Sequence, residues 1–521
     1  MHSGLETFDA VHIALPQIIE SHASNRARDT AIVCGDVRLS WEEFDSRLNA
    51  FANVLTACGI GRDERVVVLG SNSIDTIVAI FGTIKAGACV VPLSTMLSPD
   101  QLAVMIADAG ARMVCVSQAC EALIAAKRES ITSVPQAGWL ALDFAADGWR
   151  SYQSLAAQVQ SSHIDRTYDP NEPCIIIYSS GTTGLPKGIV HSHYSRHQLA
   201  HLCALEMRFS CRSRALTTTS VYSMGTFLMM LPVLFVGGTL IVMPKFSTGG
   251  FLSLVQTERV THSFMVPSQF TMLFNEQVPV PAQLATIECL LSAGSPLRPE
   301  LKARILERIT PNLFELYGNS EGFATMLKPE EQAEHGHTVG RPFIGYDMRI
   351  IGTDSNVVPT GMAGEIVGYG GSLMTCYHNR PEETAQAIWH HSSRRTFVRT
   401  GDIGSVDNLG FLTIVDRKKD MIISGGFNVF PVDIEKVISL HEAVLDVAVI
   451  GIPHPKWDET PFAFVIRRSG HRATADELLQ WVNGRVARTQ RVYGIEFVEE
   501  FPRNALGKVL KRVLRETYAQ M

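Results

Sequence analysis

A chain of 521 residues, 46% of them hydrophobic, is too long for one core of typical size and carries ample apolar material for at least two. A formal net charge of -6 excludes a general basic field for nucleic acid, no apolar run reaches membrane-span length, and the ten cysteines, spread from Cys34 to Cys376 without a C-x-x-C pair, argue for reduced thiols rather than a disulfide framework. The start, MHSGLETFDAVHIALPQ, lacks a basic segment followed by an apolar core, and the end, Tyr518-Ala519-Gln520-Met521, carries no peroxisomal tripeptide, so the expectation is a cytoplasmic enzyme, monomer or homodimer.

In chain order, RVVVLGS (65 to 71) reads as a strand, IDTIVAIFGTIKAG (74 to 87) as a helix, ACVVPLS (88 to 94) as a strand and PDQLAVMIADAG (99 to 110) as a helix. That alternation, continued to about residue 410, predicts parallel βαβ units. Cys174-Ile175-Ile176-Ile177-Tyr178 then reads as a buried strand running into YSSGTTGLPKG (178 to 188). Ser179, Ser180, Gly181, Thr182, Thr183 and Gly184 offer hydroxyls and unencumbered backbone N–H groups, and Lys187 adds a positive charge, which suits a loop that wraps a polyphosphate. Gly184 stands three residues before Lys187, with Pro186 between and Gly188 after, so the spacing is not G-x-x-x-x-G-K-[ST] and a kinase or GTPase core is disfavoured. A merely flexible Ser/Gly surface loop has little reason to combine Thr-Thr, Pro and Lys directly after an apolar strand. His193, His197 and His201 follow at helical spacing with His191 close by, but only Glu206 is in register to complete a metal site, and no zinc is expected.

Further on, GGTLIVM (237 to 243) ends a βαβ unit, while ECLLSAG (288 to 294) and NLFELYG (312 to 318) each run an apolar strand into a Gly-bearing loop. These loops are expected to converge on one cleft. After Asp416 the pattern changes: MIISGGFNVFP reads as a hairpin, VDIEKVISL as a helix, AVLDVAVIGI and PFAFVIRR as strands, and ADELLQWVNGRVA as an amphipathic helix. The result is a small α+β unit at the end of the chain.

The loop at 178 to 188, with YGNSEG (317 to 322), TGD (400 to 402), DRKKDMIISGG (416 to 426) and PRNALGKVLKR (502 to 512), resembles in order and spacing the motifs of the adenylate-forming superfamily: acyl-CoA synthetases, peptide-synthetase adenylation domains and beetle luciferases. The resemblance spans nearly the whole chain. It implies an α/β fold with a large N-terminal domain of βαβ-rich subdomains at 1–415 and a small mobile α+β C-terminal domain at 416–521. It also implies ATP, Mg²⁺ and coenzyme A. Ser179, Ser180, Gly181, Thr182, Thr183, Gly184 and Lys187 would lie along the phosphates, and Glu321 would help hold Mg²⁺ next to Asn319 and Ser320. Tyr317, Gly318, Gly294, Ser295 and Pro296 would line the adenine, and Asp402 and Arg417 would meet the ribose. Lys508 would bridge the acid's carboxylate and the α-phosphate, so that Lys508, Glu321 and Thr183 carry the chemistry of the first step. Lys419 takes the hinge position, and Gly425, Gly426 and Trp457 would meet coenzyme A after the small domain swings.

Peptide-synthetase domains place an aspartate for the α-ammonium in the segment that reads here Thr219-Ser220-Val221-Tyr222-Ser223-Met224-Gly225, which has no acid. A free amino acid is disfavoured, since an unpaired buried ammonium is costly. The resemblance places Tyr222, Ser223, Met224, Phe227, Met265, Gly318, Gly322 and Phe323 around the acyl group, apolar or small and without a guanidinium for a second carboxylate. Ser223, where relatives often carry histidine, is expected to leave space at the pocket mouth or an inner wall unless Met224 or Phe227 fills it. The expected substrate is an uncharged monocarboxylic acid, medium-chain, alicyclic or aromatic, passed to coenzyme A. The alternative acceptor is a separate carrier protein.

Overall fold

The computed structural model describes residues 12–159, 162–179, 186–276, 279–418, 420–424, 427–455, 457–503 and 508–519. Two large sheets organise the first two-thirds of the chain. In the strand Arg65–Leu69, Val66 and Val68 enter the cluster between the sheets while Val67 and Leu69 enter the cluster beneath, packed on Leu102, Met105 and Ile106. Period-two alternation with both faces buried is the signature of a strand inside a parallel sheet. The second sheet repeats the logic, with Ile32 and Leu240 turned inward and Val33, Leu216 and Ile241 outward onto Phe251 and Phe270.

Helices fill the space between the sheets, and their sequences show why. Every residue of Ile74–Lys85 except Asp75 in its first turn is buried, as expected for a helix walled in on nearly all sides. Its lysine, Lys85, pairs with Asp45 at 2.5 Å. The helix Met224–Val236 is as apolar and ends at Gly237, whose φ of +76° supplies the left-handed C-cap.

Along the nine-stranded sheet the strands Leu313–Gly318, Cys289–Ser292, His262–Met265, Arg214–Thr217 and Thr239–Val242 are neighbours in that order and parallel. In the other sheet, Pro173–Ser179 and Lys187–Ser192 pair antiparallel with Ser179 opposite Lys187, so the phosphate-loop motif closes a hairpin rather than leading into a helix. The strand–helix alternation stops earlier than residue 410: Asp347–Ile351, Gly364–Tyr369, Ile388–His390, Thr396–Val406 and Leu412–Arg417 form an antiparallel sheet. Ile388–His390, Thr396–Val406 and Leu412–Arg417 follow one another through connections of about five residues, too short for a parallel crossover.

The C-terminal unit has the predicted grammar: the hairpin Ile422–Ser424 with Phe427–Val429, the helix Pro431–Ser439, the strands Val444–His454 and Asp458–Arg467, and the helix Ala475–Asn483. It encloses its own core around Ile434, Val449, Val465 and Leu478. Asp446 of this unit accepts from Arg298 of the large unit and from Arg503 at 2.5 Å. Among the described residues no helix is long and apolar enough to cross a membrane.

Candidate active site

Because the five central strands are parallel, the segments that follow them, 218–223, 293–296 and 318–323, all leave one edge of the sheet. That edge is where ligands settle in open α/β sheets. The SAGSP and YGNSEG loops leave adjacent strands, with Ser292 opposite Glu315, which brings Gly294, Ser295 and Pro296 beside Tyr317 and Gly318. Gly294 has φ +91°, a turn that residues with a side chain rarely adopt.

Three residues far apart in sequence meet here. Tyr317 Oη donates to Asp402 Oδ2 at 2.8 Å, and Arg417 Nε lies 3.2 Å from Asp402 Oδ1. The antiparallel pairing of Asp402 with Arg417 sets the latter contact. Burial, then the Asp402 charge, raises the Tyr317 hydroxyl well above its ordinary value, so it remains a protonated donor. Each carboxylate oxygen keeps a second acceptor site, so Asp402 retains capacity for a diol.

Glu321 sits on the next turn. Tyr377 Oη donates to Glu321 Oε1 at 2.7 Å, and Lys187 Nζ stands 4.8 Å from the centre of the Tyr377 ring. Tyr377 therefore joins the lysine of the phosphate-loop hairpin to the carboxylate expected to hold the metal. The sequence reading missed it, because a tyrosine in MTCYHNRPEET is separated from Glu321 by 56 residues and no local pattern links them. Glu321 Oε2 has no partner among the described residues, where no group of three or more His, Cys, Asp or Glu could hold a metal by itself. A single hard oxygen donor fits Mg²⁺ that is shared with nucleotide phosphates and water. Nearby, Asn319 Oδ1 accepts from Phe323 N at 3.1 Å while its Nδ2 is buried without a partner among the described residues, and the Ser320 carbonyl accepts from His191. Ser180, Gly181, Thr182, Thr183 and Gly184 lie outside the described residues.

The acyl-pocket candidates divide. Met224 is half-buried at the start of its helix, Tyr222 has a buried hydroxyl without a partner among the described residues, and Gly225 lies so close to Phe264 that a Cβ would fall 2.4 Å from its ring. Phe227 and Phe323 are each 1% exposed and serve as core packing, Phe323 against Tyr346 and the backbone of Gly368. Met265 must be corrected. It faces the outer cluster with Val33, Leu216 and Phe270, while its neighbour Phe264 faces inward, since successive residues of a strand alternate sides. Phe264, also 1% exposed, is the residue of this strand that packs on Gly225.

Ser223 does not simply leave space at the pocket mouth: its Oγ accepts from Gly225 N at 3.3 Å and caps the helix Met224–Val236. Ser223→Ala should therefore lower stability by about 1 kcal/mol, read as a reduced midpoint in thermal or urea unfolding. An unchanged midpoint would show that the cap contributes nothing.

In the C-terminal unit, Trp457 is 43% exposed on the turn between Val444–His454 and Asp458–Arg467. Ser424 pairs with Asp458, so this turn lies beside the strand Ile422–Ser424; Gly425 and Gly426, next in sequence, are outside the described residues. Lys419 is also outside them, but its neighbours are informative. Lys418 Nζ binds Glu365 Oε2 of the large unit at 2.9 Å, and Asp420 Oδ1 binds Arg515 of the small unit at 2.9 Å. Lys508 stands half-buried on a segment closed by the bridge between Arg503 and Val509.

Residues 19–378 match the family described as AMP-binding enzyme, and residues 433–508 match the AMP-binding enzyme C-terminal domain. The chain is 33% identical to the long-chain-fatty-acid–CoA ligase FadD13 of Mycobacterium tuberculosis, over 93% of this chain and 94% of the relative. It is 30% identical to the indoleacetate–CoA ligase of Aromatoleum aromaticum, over 97% of this chain and 98% of that protein. The ATP-bound structure of MatB from Rhodopseudomonas palustris matches with a TM-score of 0.86 at 28% identity, covering 97% of this chain and 98% of that one.

Proposed function

The chain belongs to the AMP-binding enzyme family, on the acyl- and aryl-CoA synthetase branch of the adenylate-forming superfamily, and from that premise we propose that it activates an uncharged monocarboxylic acid, medium-chain, alicyclic or aromatic. It is an AMP-forming acid–thiol ligase whose substrates are ATP, a small-molecule acid and coenzyme A. The observation that carries the adenylation reading is the meeting of Tyr317, Asp402 and Arg417 next to the turn where Glu321, Tyr377 and Lys187 gather. One group suits a nucleoside and the other its phosphates.

In the first half-reaction a carboxylate oxygen of the acid attacks the α-phosphorus of ATP, the bond to the bridging oxygen breaks, and pyrophosphate leaves. Asp402 accepts the ribose hydroxyls, Tyr317 and the Gly294–Pro296 loop flank the base, and Lys187 with the phosphate loop lies along the leaving group. Mg²⁺ held by Glu321 would spread the negative charge of the phosphates. Lys508 neutralises charge between the carboxylate and the α-phosphate. In the second half-reaction the thiolate of coenzyme A attacks the acyl carbonyl and AMP departs. The small unit, taken from residue 416 with its hinge at Lys419, turns to bring Gly425, Gly426 and Trp457 toward the thiol.

Support for an uncharged acid comes from Met224, Gly225 and Gly322, which bring no charge to the expected pocket. Arg196 reaches Met224 Sδ at 3.7 Å, but it is 4% exposed and its Nη2 is committed to His191 Nδ1 and Ser372 O. The test is an ATP-dependent coenzyme A thioester assay over straight-chain, cyclic, aromatic and dicarboxylic acids, with products read by mass spectrometry. Thioesters from the uncharged monoacids are expected. Preference for dicarboxylic acids would overturn the substrate class, and transfer only to a pantetheinylated carrier would overturn the acceptor.

A further inference from the structure

Arg196, on the helix His193–Glu206, is buried without a carboxylate partner among the described residues. Desolvation pushes its guanidinium down to about 10, so it is still charged at neutral pH. A buried cation lacking a counter-ion is costly, and its donors must therefore serve acceptors that matter. Nη2 donates to Ser372 O at 3.1 Å and to His191 Nδ1 at 3.0 Å. A guanidinium only donates, so Nδ1 is the acceptor and the imidazole proton sits on Nε2, which donates to Ser320 O at 3.0 Å. Burial and the Arg196 charge hold His191 well below the usual imidazole range, so it stays neutral and keeps this tautomer.

The second branch runs through Ser372, whose Oγ donates to Gly322 O at 2.6 Å, while Met374 N donates to Glu321 O at 2.7 Å. Three consecutive carbonyls, those of residues 320, 321 and 322, are thus fixed, two of them by groups that Arg196 holds. The turn is pressed so closely on residue 372 that a Cβ on Gly322, at φ +107°, would lie 2.1 Å from the Ser372 carbonyl oxygen.

We propose that Arg196, acting through His191 and Ser372, is a positioning residue that sets the backbone of the Glu321 turn and so aims its carboxylate at the metal–nucleotide complex. This rests on the reading of Glu321 as the metal-holding carboxylate. Groups behind a metal ligand set its orientation, and their loss typically costs roughly 10–100-fold in metal affinity or activity.

The experiment uses full-length Arg196→Met, His191→Leu, Glu321→Gln and the two double variants with Glu321→Gln. Binding of Mn²⁺ with a non-hydrolysable ATP analogue is read by electron paramagnetic resonance. Acyl-adenylate formation and thioester formation from supplied acyl-adenylate are measured separately. Arg196→Met should weaken Mn²⁺ binding and adenylation by roughly 10–100-fold and spare the thioester step. His191→Leu should act in the same direction by less, because the Ser372 branch survives. Neither should add to Glu321→Gln, since groups acting through one carboxylate are non-additive. If Glu321→Gln leaves Mn²⁺ binding unchanged, the reading of Glu321 fails. If it weakens binding while Arg196→Met does not, or the two losses add in full, the positioning role is overturned. Should Arg196→Met not fold, the His191→Leu cycle with Glu321→Gln decides the same question.

Discussion

Lys508→Ala is expected to cut acyl-adenylate formation by roughly 10²–10³-fold, the usual consequence of removing one group that stabilises developing charge, and to leave thioester formation from supplied acyl-adenylate largely intact. The asymmetry follows from where the charge is needed. Only the first half-reaction builds negative charge between the carboxylate and the α-phosphate, and a compact ammonium on a long stem can follow it. Neighbouring contacts brace the segment that bears Lys508. Leu510 N donates to Pro502 O at 2.7 Å, Lys511 Nζ pairs with Glu435 at 2.8 Å, and Arg503 joins Asp446, which also holds Arg298 of the large unit. Both half-reactions are to be followed by rapid quench with one enzyme preparation. Equal loss in the two would remove Lys508 from the chemistry of the first step.

Lys419→Pro should have the opposite profile, sparing adenylate formation while thioester formation falls by about 10²-fold or more, because misplacing a reacting group by even an ångström can cost that much. Lys418 is anchored to the large unit through Glu365 and Asp420 to the small unit through Arg515, so residue 419 is the single position between the two anchors. A swing between the units must draw on backbone freedom there. Proline fixes φ at its own position and biases the preceding residue toward extended conformations, which opposes the swing. Normal turnover with coenzyme A in that variant would mean that the units do not rotate about residue 419.

Much of the architecture was legible in the chain. The apolar runs at 65–69, 89–92 and 289–292 are strands, the strongly apolar 74–85 is a helix between two sheets, and the grammar after Asp416 is that of a separate small unit. These elements write their period locally, two residues for a strand and 3.6 for a helix, and so need no partner to be recognised. The antiparallel sheet at 347–417 was not legible, because short strands of mixed burial such as Ile388–His390 and Leu412–Arg417 owe their state to their neighbours.

The site divides along the same line. Its loops could be read from the sequence, since glycines, hydroxyls and isolated charges after apolar strands form contiguous patterns. Which side chains meet could not. Tyr377 on Glu321, Arg196 on His191, Phe264 rather than Met265 on Gly225, and Ser223 turned into its own helix are decided by sheet register, helix packing and backbone direction. The sequence by itself determined the elements, the order of the motifs and the class of chemistry, because each is encoded within a few adjacent residues. Only the tertiary structure decided the contacts that aim those residues, because a hydrogen bond such as that between Arg196 and Ser372, 176 positions apart, forms only after the fold has brought both groups out of water to one place.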